Sequence, residues 1–499
     1  METIFGHTIW SLSYLIVLIG LSAYGIHRYS IIYLFLKHRR RKVEPRSRFD
    51  ELPHVTVQLP LYNEYYVARR LLTAVGKLDY PKERLQIQVL DDSTDESVSI
   101  VAAEVEKLRK AGLDIAHIRR PDRIGYKAGA LEYGTERATG EFIFILDADF
   151  VPQPDLLRRH IHHFTDPKLG MLQMRWGHLN RKHSMLTRLQ ALFLDGHLLL
   201  EQTARCRSGR FFNFNGTAGI WRKTCIEDAG GWQHDTLTED LDLSYRAQLK
   251  GWRFEFLPDV EIPAELPVDM NGFKSQQHRW TKGSIQTCMK LLPTIWRARL
   301  PLLIKIEATM HLTSNFGYLL LALLCLMMLP KLDAPTQGAI YMLLVDLPIF
   351  VATTISISAF YLCAQIHLNP SGWWKDLWMI PMLLALAIGM SINNARGVLE
   401  ALFRKQSEFT RTPKYGLESL PVRSFRYLPL RSFLPAIEIA FAAYFAFCTV
   451  SVFLNGNYLT LPFMLLFLIG FLYVPGKSIA FWLERRFGSR RTSASALPA

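Results

Sequence analysis

Three patterns of apolar and polar positions follow one another along the chain. The first is an apolar run from Ile9 to about Ile26 that resumes after His27 and Arg28 as far as Leu36. It has no basic residue before it and no small-x-small cleavage site after it, and it outruns a signal-peptide core, so it predicts a retained membrane anchor. The second pattern, from His54 to about Asp259, alternates short β-type runs with helix-type stretches, which predicts an α/β domain with a largely parallel sheet. Val55 to Leu59 is the first strand, ended by Pro60-Leu61-Tyr62-Asn63-Glu64, and Leu71, Leu72 and Val75 mark the helix after it. Leu85 to Leu90 runs into Asp91-Asp92-Ser93, after which Ser93-Thr94-Asp95 can cap a helix. Phe142 to Leu146 is apolar throughout, as for a strand buried on both faces, and runs into Asp147-Ala148-Asp149. Two acidic clusters therefore fall at strand C-termini, the edge at which open α/β sheets bind ligands.

The third pattern begins after Trp280. Apolar runs from His311 to Leu329 and from about Gly338 to Cys363 predict a hairpin of spans, and Phe433 to Leu454 with Leu459 to Trp482 predict another around Asn455-Gly456-Asn457. Between them, Trp374 to Ile392 holds only about a dozen uninterrupted apolar residues, the length of an interfacial or re-entrant helix. The loop that follows carries Arg396, Arg404, Lys405, Arg411, Lys414, Arg423, Arg426 and Arg431, and belongs on the cytoplasmic side by the positive-inside rule. Parity then gives five spans and one interfacial helix, with six true spans and a misplaced loop as the alternative. The expected layout is an anchor (1–37), a basic cytoplasmic linker (38–53), a cytoplasmic α/β domain with an interfacial helix (54–300), a hairpin (301–366), an interfacial helix with a cytoplasmic loop (367–432), a second hairpin (433–482) and a basic, disordered tail (483–499).

Composition changes this picture in two places. A net charge of +14 raises the question of nucleic acid, but the cations cluster beside apolar runs, as in His38-Arg39-Arg40-Arg41-Lys42 and Arg485-Arg486, and read as membrane flanks. No basic stripe interleaved with aromatics marks the soluble part, so no nucleic-acid partner is expected. The six cysteines are scattered without a CxxC pair, which indicates neither a zinc site nor a disulfide framework.

The candidate chemistry is carboxylate chemistry. Asp147 and Asp149 are hard oxygen ligands suited to Mg²⁺ or Mn²⁺ carrying substrate phosphates, although two acids at a strand end also serve as solvated or capping residues. Lys127 offers a cation at a helix start, where backbone N–H groups also favour phosphate. Asp240, in Thr238-Glu239-Asp240, is a candidate general base at a helix start; the same residues make an ordinary capped N-terminus with Thr238 as the cap. Arg279 and Trp280 suit either an interfacial anchor or a leaving group and a sugar ring. His160, His162 and His163 are expected on a helix surface.

Together these motifs resemble the processive family 2 glycosyltransferases of the cellulose synthase, hyaluronan synthase and plant cellulose-synthase-like A (mannan synthase) type. The likeness rests on Asn63-Glu64, Asp92, Lys127, Asp147 and Asp149, Phe214-Asn215-Gly216-Thr217-Ala218, Thr238-Glu239-Asp240, and the QxxRW signature at Gln276, Arg279 and Trp280. It implies a GT-A nucleotide-sugar domain inserted between transmembrane helices and an inverting transfer that makes a β-glycoside. Asn63, Glu64, Asp92, Lys127, Asp147, Gln276 and Arg279 would bind the donor, Asp147 and Asp149 the metal, and Trp280, Phe214 and Gly216 the acceptor. Asp240 would act as base beside Glu239 and Arg279. Phe409, Thr412 and Lys414 resemble a gating loop of pattern FxVTxK, with Arg411 in place of the Val. The resemblance implies UDP-glucose or GDP-mannose as donor and a growing β-glycan as acceptor, with export through the protein's own helices and periplasmic or cell-wall export partners. It implies a plasma, bacterial inner or Golgi membrane. Single-sugar transfer to a lipid such as ceramide, and a catalytically silent export or scaffold protein, are the alternatives.

Overall fold

The computed structural model describes residues 2–332, 347–407, 411–416 and 433–494. Its centre is a seven-stranded sheet in the order β3-β2-β1-β4-β6-β5-β7. The strands are β1 (Val55–Leu61), β2 (Leu85–Asp91), β3 (Asp114–Ile118), β4 (Phe142–Ile145), β5 (Leu169–His178), β6 (Gly219–Arg222) and β7 (Arg253–Ala264). All neighbours run parallel except β6, which is antiparallel to both β4 and β5. The continuous apolar run of β4 is explained by its two faces: Phe142 and Phe144 enter one core with Val57, Leu59 and Ile87, while Ile143 and Ile145 enter another with Trp221 and Phe256. The expected cap from Ser93-Thr94-Asp95 does not form at the helix Ser97–Lys110, whose N-cap is Glu96 without a side-chain bond; Asp95 Oδ1 instead accepts from Ser97 N–H at 2.9 Å in the turn before it.

Among the described residues, five helices are long and apolar enough to cross a membrane: Trp10–His38, Leu347–Leu368, Met379–Leu402, Leu434–Leu454 and Leu461–Leu483. The run expected as one span from His311 to Leu329 falls instead into Leu302–Thr313 and Phe316–Met328, bent by 55°. Residues 333–346, which hold part of the expected connection and the start of the next run, lie outside the described residues. Met379–Leu402 extends well past the apolar stretch that ends at Ile392, and 67% of its most apolar window is buried inside the protein, against 22–39% for the other four. Its polar end explains that burial. Asn393 Nδ2 donates to Lys274 O at 2.9 Å, and Glu400 meets His278 at 3.1 Å and Lys282 at 3.3 Å, all on Met270–Arg297.

The α/β domain is joined to the membrane helices by a buried charge cluster. Arg205, 2% exposed, donates to Glu307 Oε1 at 3.0 Å and to Glu201 Oε2 at 3.1 Å. Glu307 also meets His27 of the N-terminal helix at 3.0 Å, and Glu201 meets His197 at 2.9 Å. Three parts of the chain are thereby fastened at one point.

Candidate active site

The cavity lies beyond the C-terminal ends of β1, β4, β5 and β7, at the edge where the acidic clusters were expected. Its volume is about 1290 Å³ counting the open mouth. Tyr62, Glu64, Asp92, Lys127, Asp147, Asp149, Gly216, Glu239, Asp240, Gln276, Arg279, Trp280, Thr412 and Lys414 all line it. Residues more than three hundred positions apart thus share one space.

The turn after β1 is fixed by Asn63, whose φ of +55° lies in the left-handed region that Asn tolerates. Asn63 does not line the cavity. Its N–H donates to Ser93 Oγ at 2.8 Å and its Oδ1 accepts from Thr94 N–H at 2.9 Å, tying the ends of β1 and β2 so that Tyr62 and Glu64 reach inward. Asp92 is bound by Arg120, with Nε 3.0 Å from Oδ1. Lys127 lies in the first turn of Tyr126–Glu136, after Gly125 at φ +72°. Its Nζ donates to Asp147 Oδ1 at 2.5 Å and to Gly216 O at 2.9 Å.

Gly216 has φ +80°, and a Cβ there would stand 3.0 Å from Asp240 Oδ2, so both backbone shape and space require glycine. Phe214, expected at the acceptor, is buried instead, its ring edge-on to Trp221 at 5.5 Å. Asn215 and Gly216 form the wall at that point. Asp240 enters from the first turn of Glu239–Leu249, its Oδ1 accepting from Leu241 N–H at 2.8 Å. Thr238 does not cap this helix: its hydroxyl pairs with Thr287 at 3.2 Å.

The helix Met270–Arg297 starts cleanly, with Asp269 Oδ1 accepting from Gly272 N–H at 2.7 Å. Gln276, Arg279 and Trp280 are spaced i, i+3, i+4 and therefore share one face, which is the cavity wall. Trp280 lies 6.5 Å from Trp176, giving the floor two aromatic rings. From the loop side, Arg411 Nη1 meets Glu64 at 2.8 Å and Lys414 Nζ meets Asp149 Oδ2 at 2.6 Å. Phe409 lies outside the described residues.

A family model described as glycosyltransferase like family 2 matches residues 53–283. Glucomannan 4-beta-mannosyltransferase 2 of Arabidopsis thaliana is 32% identical over 476 residues, covering 88% of this chain and 86% of that protein. The chain belongs to glycosyltransferase family 2. Glucomannan 4-beta-mannosyltransferase 1 of Cyamopsis tetragonoloba is likewise 32% identical, over 87% of this chain and 84% of its own. The fold matches the solved mannosyltransferase PcManGT from Pyrobaculum calidifontis, in complex with GDP-Man and Mn²⁺, with a TM-score of 0.53 at 18% identity over 77% of this chain and 100% of that one. The sheet is therefore the GT-A fold, carried here between apolar helices.

Electrostatics separate the carboxylates of this glycosyltransferase. Burial and the neighbouring Glu239 push Asp240 up to about 7, against the pull of Leu241 N–H, Lys127 and Arg279. Burial pushes Glu64 up to about 7, opposed by Arg411 and Lys414. A base must be ionised, so kcat/KM is expected to rise with pH through about 7 and to fall as protons are added below it. The same limb in Glu64→Gln assigns it to Asp240; its disappearance in that variant assigns it to Glu64. Burial lowers Arg279, while Glu239, Asp240 and Asp147 hold its proton.

Among the described residues there is no cluster of three or more metal-ligating side chains. The Asp147 and Asp149 pair still suits a hard cation that takes its other ligands from water and phosphate. Among the described residues, Asp149 Oδ1 is buried without a hydrogen-bond partner while Oδ2 accepts from Glu265 N–H at 3.0 Å, so one oxygen is oriented and the other is left to ligate.

Sequence reasoning missed Trp176, His178, Arg123 and Glu265 in the lining. Trp176-Gly177-His178 ends β5, so the strand-end rule that found Asp147 was the available signal. The histidines expected at the surface do otherwise: His163 is buried against Glu255 at 2.9 Å, and His162 Nδ1 accepts from Phe49 N–H at 3.1 Å, holding the linker to the domain.

Proposed function

We propose that this enzyme transfers mannose from GDP-mannose to the end of a growing β-1,4-linked glycan, with inversion at the transferred carbon. The convergence of Asp147 and Asp149, Asp240, and the Gln276-Arg279-Trp280 face on one cavity carries the reading. Mannose is preferred to glucose because relatives named as glucomannan mannosyltransferases are about a third identical over most of both chains.

In this reading Asp240 takes the proton of the acceptor hydroxyl as that oxygen attacks the anomeric carbon, and Arg279 with Lys127 bears the charge that develops on the departing diphosphate. Trp280 and Trp176 offer aromatic faces to the acceptor sugar, while Gly216 leaves room for it beside Asp240. Asp147 and Asp149 would hold Mg²⁺ or Mn²⁺, which when bound neutralises diphosphate charge. Tyr62, with Arg123 stacked 3.3 Å over its ring, provides a flat surface for a nucleotide base. Thr412 and Lys414 belong to a loop that covers the donor.

The protein keeps an N-terminal anchor, an α/β domain between membrane helices and an interfacial helix, whereas the tail expected to be disordered from 483 continues the helix Leu461–Ala494 as far as Ala494. The basic border after His38 supports a cytoplasmic α/β domain in a multi-pass membrane protein, and the buried Met379–Leu402 acts as an interfacial helix under the catalytic domain. The glycan leaves between the membrane helices. A donor screen on the purified full chain tests the function. GDP-mannose with glycan primer is expected to yield a polymer cut by endo-β-mannanase, with 4-linked mannose on linkage analysis. Use of UDP-glucose alone, or a product limited to one sugar on lipid, overturns it.

A further inference from the structure

We propose that Lys414 and the divalent cation are alternative partners of Asp149, so that metal binding and seating of the segment 411–416 oppose one another. The inference rests on the reading of Asp147 and Asp149 as the metal's carboxylates.

Four carboxylates from separate parts of the chain hold this segment. Arg411 meets Glu64 at 2.8 Å and Lys414 meets Asp149 at 2.6 Å. Glu265 Oε2 accepts from the N–H groups of Tyr415 at 3.2 Å and Gly416 at 3.1 Å, and Tyr415 O–H donates to Asp269 at 3.2 Å. Gly416 has φ +63°, and a Cβ there would stand 2.9 Å from Tyr66 O, so the segment seats tightly against the turn after β1.

Charge in this space is balanced pair by pair. Arg411 faces Glu64, Lys127 faces Asp147, Arg70 faces Glu265 and Arg120 faces Asp92. Asp149 is the carboxylate against which Lys414 is neutralised. Asp149 is 1% exposed, so water does little to screen that pair. Mg²⁺ binds oxygen at about 2.0–2.1 Å, and the oxygen left for a divalent cation belongs to the same carboxylate that holds the ammonium. The cation, Lys414 and Lys127 would then share the charges of Asp149 and Asp147 in a poorly screened space. The cheaper arrangement for the protein is to release the lysine, which sits on a segment that can lift, rather than Asp149, which sits at the end of a core strand. Loss of that contact leaves the segment held by Arg411 and by the bonds of Tyr415 and Gly416.

Such antagonism is reciprocal: the factor by which seated Lys414 weakens metal binding is the factor by which metal weakens seating. The test uses the purified full chain with Mn²⁺ alone and no nucleotide. Mn²⁺ affinity is read by electron paramagnetic resonance of the free ion, and seating by hydrogen exchange of the Tyr415 and Gly416 amides. Lys414→Met is expected to bind Mn²⁺ about tenfold more tightly, Lys414→Arg to match the native chain, and Mn²⁺ to speed exchange at Tyr415 and Gly416 in the native chain. The exchange measurement needs no variant. If Mn²⁺ binds and Asp149→Asn abolishes it, unchanged or weaker affinity in Lys414→Met overturns the antagonism, as does protection of those amides by Mn²⁺. If neither the native chain nor Lys414→Met binds Mn²⁺, the metal reading itself fails, and this inference with it.

Discussion

With Asp240 replaced by Asn, turnover is expected to fall by about 10²–10⁴-fold, the range for loss of a positioned general base. The substitution is close to isosteric. The amide oxygen can keep the bond from Leu241 N–H that Oδ1 now accepts at 2.8 Å, which turns the NH₂ toward the position of Oδ2 beside Gly216. That group donates where a proton acceptor is needed. Donor binding is expected to stay within about twofold of native, because Lys127, Arg279 and the Asp147 and Asp149 pair are untouched. Steady-state kinetics with nucleotide titration checks both halves. Native turnover in Asp240→Asn would remove it as the base, and absence of transfer from the native chain under every donor would favour the catalytically silent reading.

Replacing Arg205 by Ala is expected to destabilise the protein by about 3–5 kcal/mol, the cost of stranding buried charges without a partner. Arg205 stands between Glu201 and Glu307, and the other partners of these carboxylates are His27, His197 and Arg28, the last 3.6 Å from Glu201. None of these replaces a guanidinium that serves both carboxylates at once. At roughly 2–4 °C per kcal/mol the melting temperature in detergent is expected to drop by about 6–20 °C. Adding Glu201→Gln and Glu307→Gln to Arg205→Met should recover much of the loss, because the buried charge is removed with its partner. A melting temperature unchanged in Arg205→Ala would show that the cluster does not hold the domain to the membrane helices.

Short-range chemistry was legible in the chain itself. The apolar runs of β1, β2 and β4, and the acids that end β2 and β4, announce a sheet edge because each lies within a few residues of its structural cause. The i, i+3, i+4 spacing of Gln276, Arg279 and Trp280 likewise carries its own geometry. Phe214 was misplaced because its neighbour Gly216 turns the chain: the residues on either side of Asn215 end up on opposite sides of the cavity wall, one in the core and one at the site. The pairings of Arg411 with Glu64 and Lys414 with Asp149 depend on contacts across hundreds of residues, and no local pattern encodes them. Hydropathy and loop charge mark the membrane segments but register neither the bend between Thr313 and Phe316 nor the polar end of Met379–Leu402, where Asn393 and Glu400 find partners on another helix.

The two halves of the cavity are built from different materials. Gln276, Arg279 and Trp280 are set by one 28-residue helix, whereas Tyr62, Asp92 and Arg123 stand on separate connections beyond the sheet. A helix moves its side chains together, and a connection moves its own alone. Changes in the connections can therefore alter which nucleotide is admitted without shifting the place where the acceptor is presented. In such an architecture a lineage can exchange its sugar donor by a few loop substitutions while the geometry of bond formation is inherited intact.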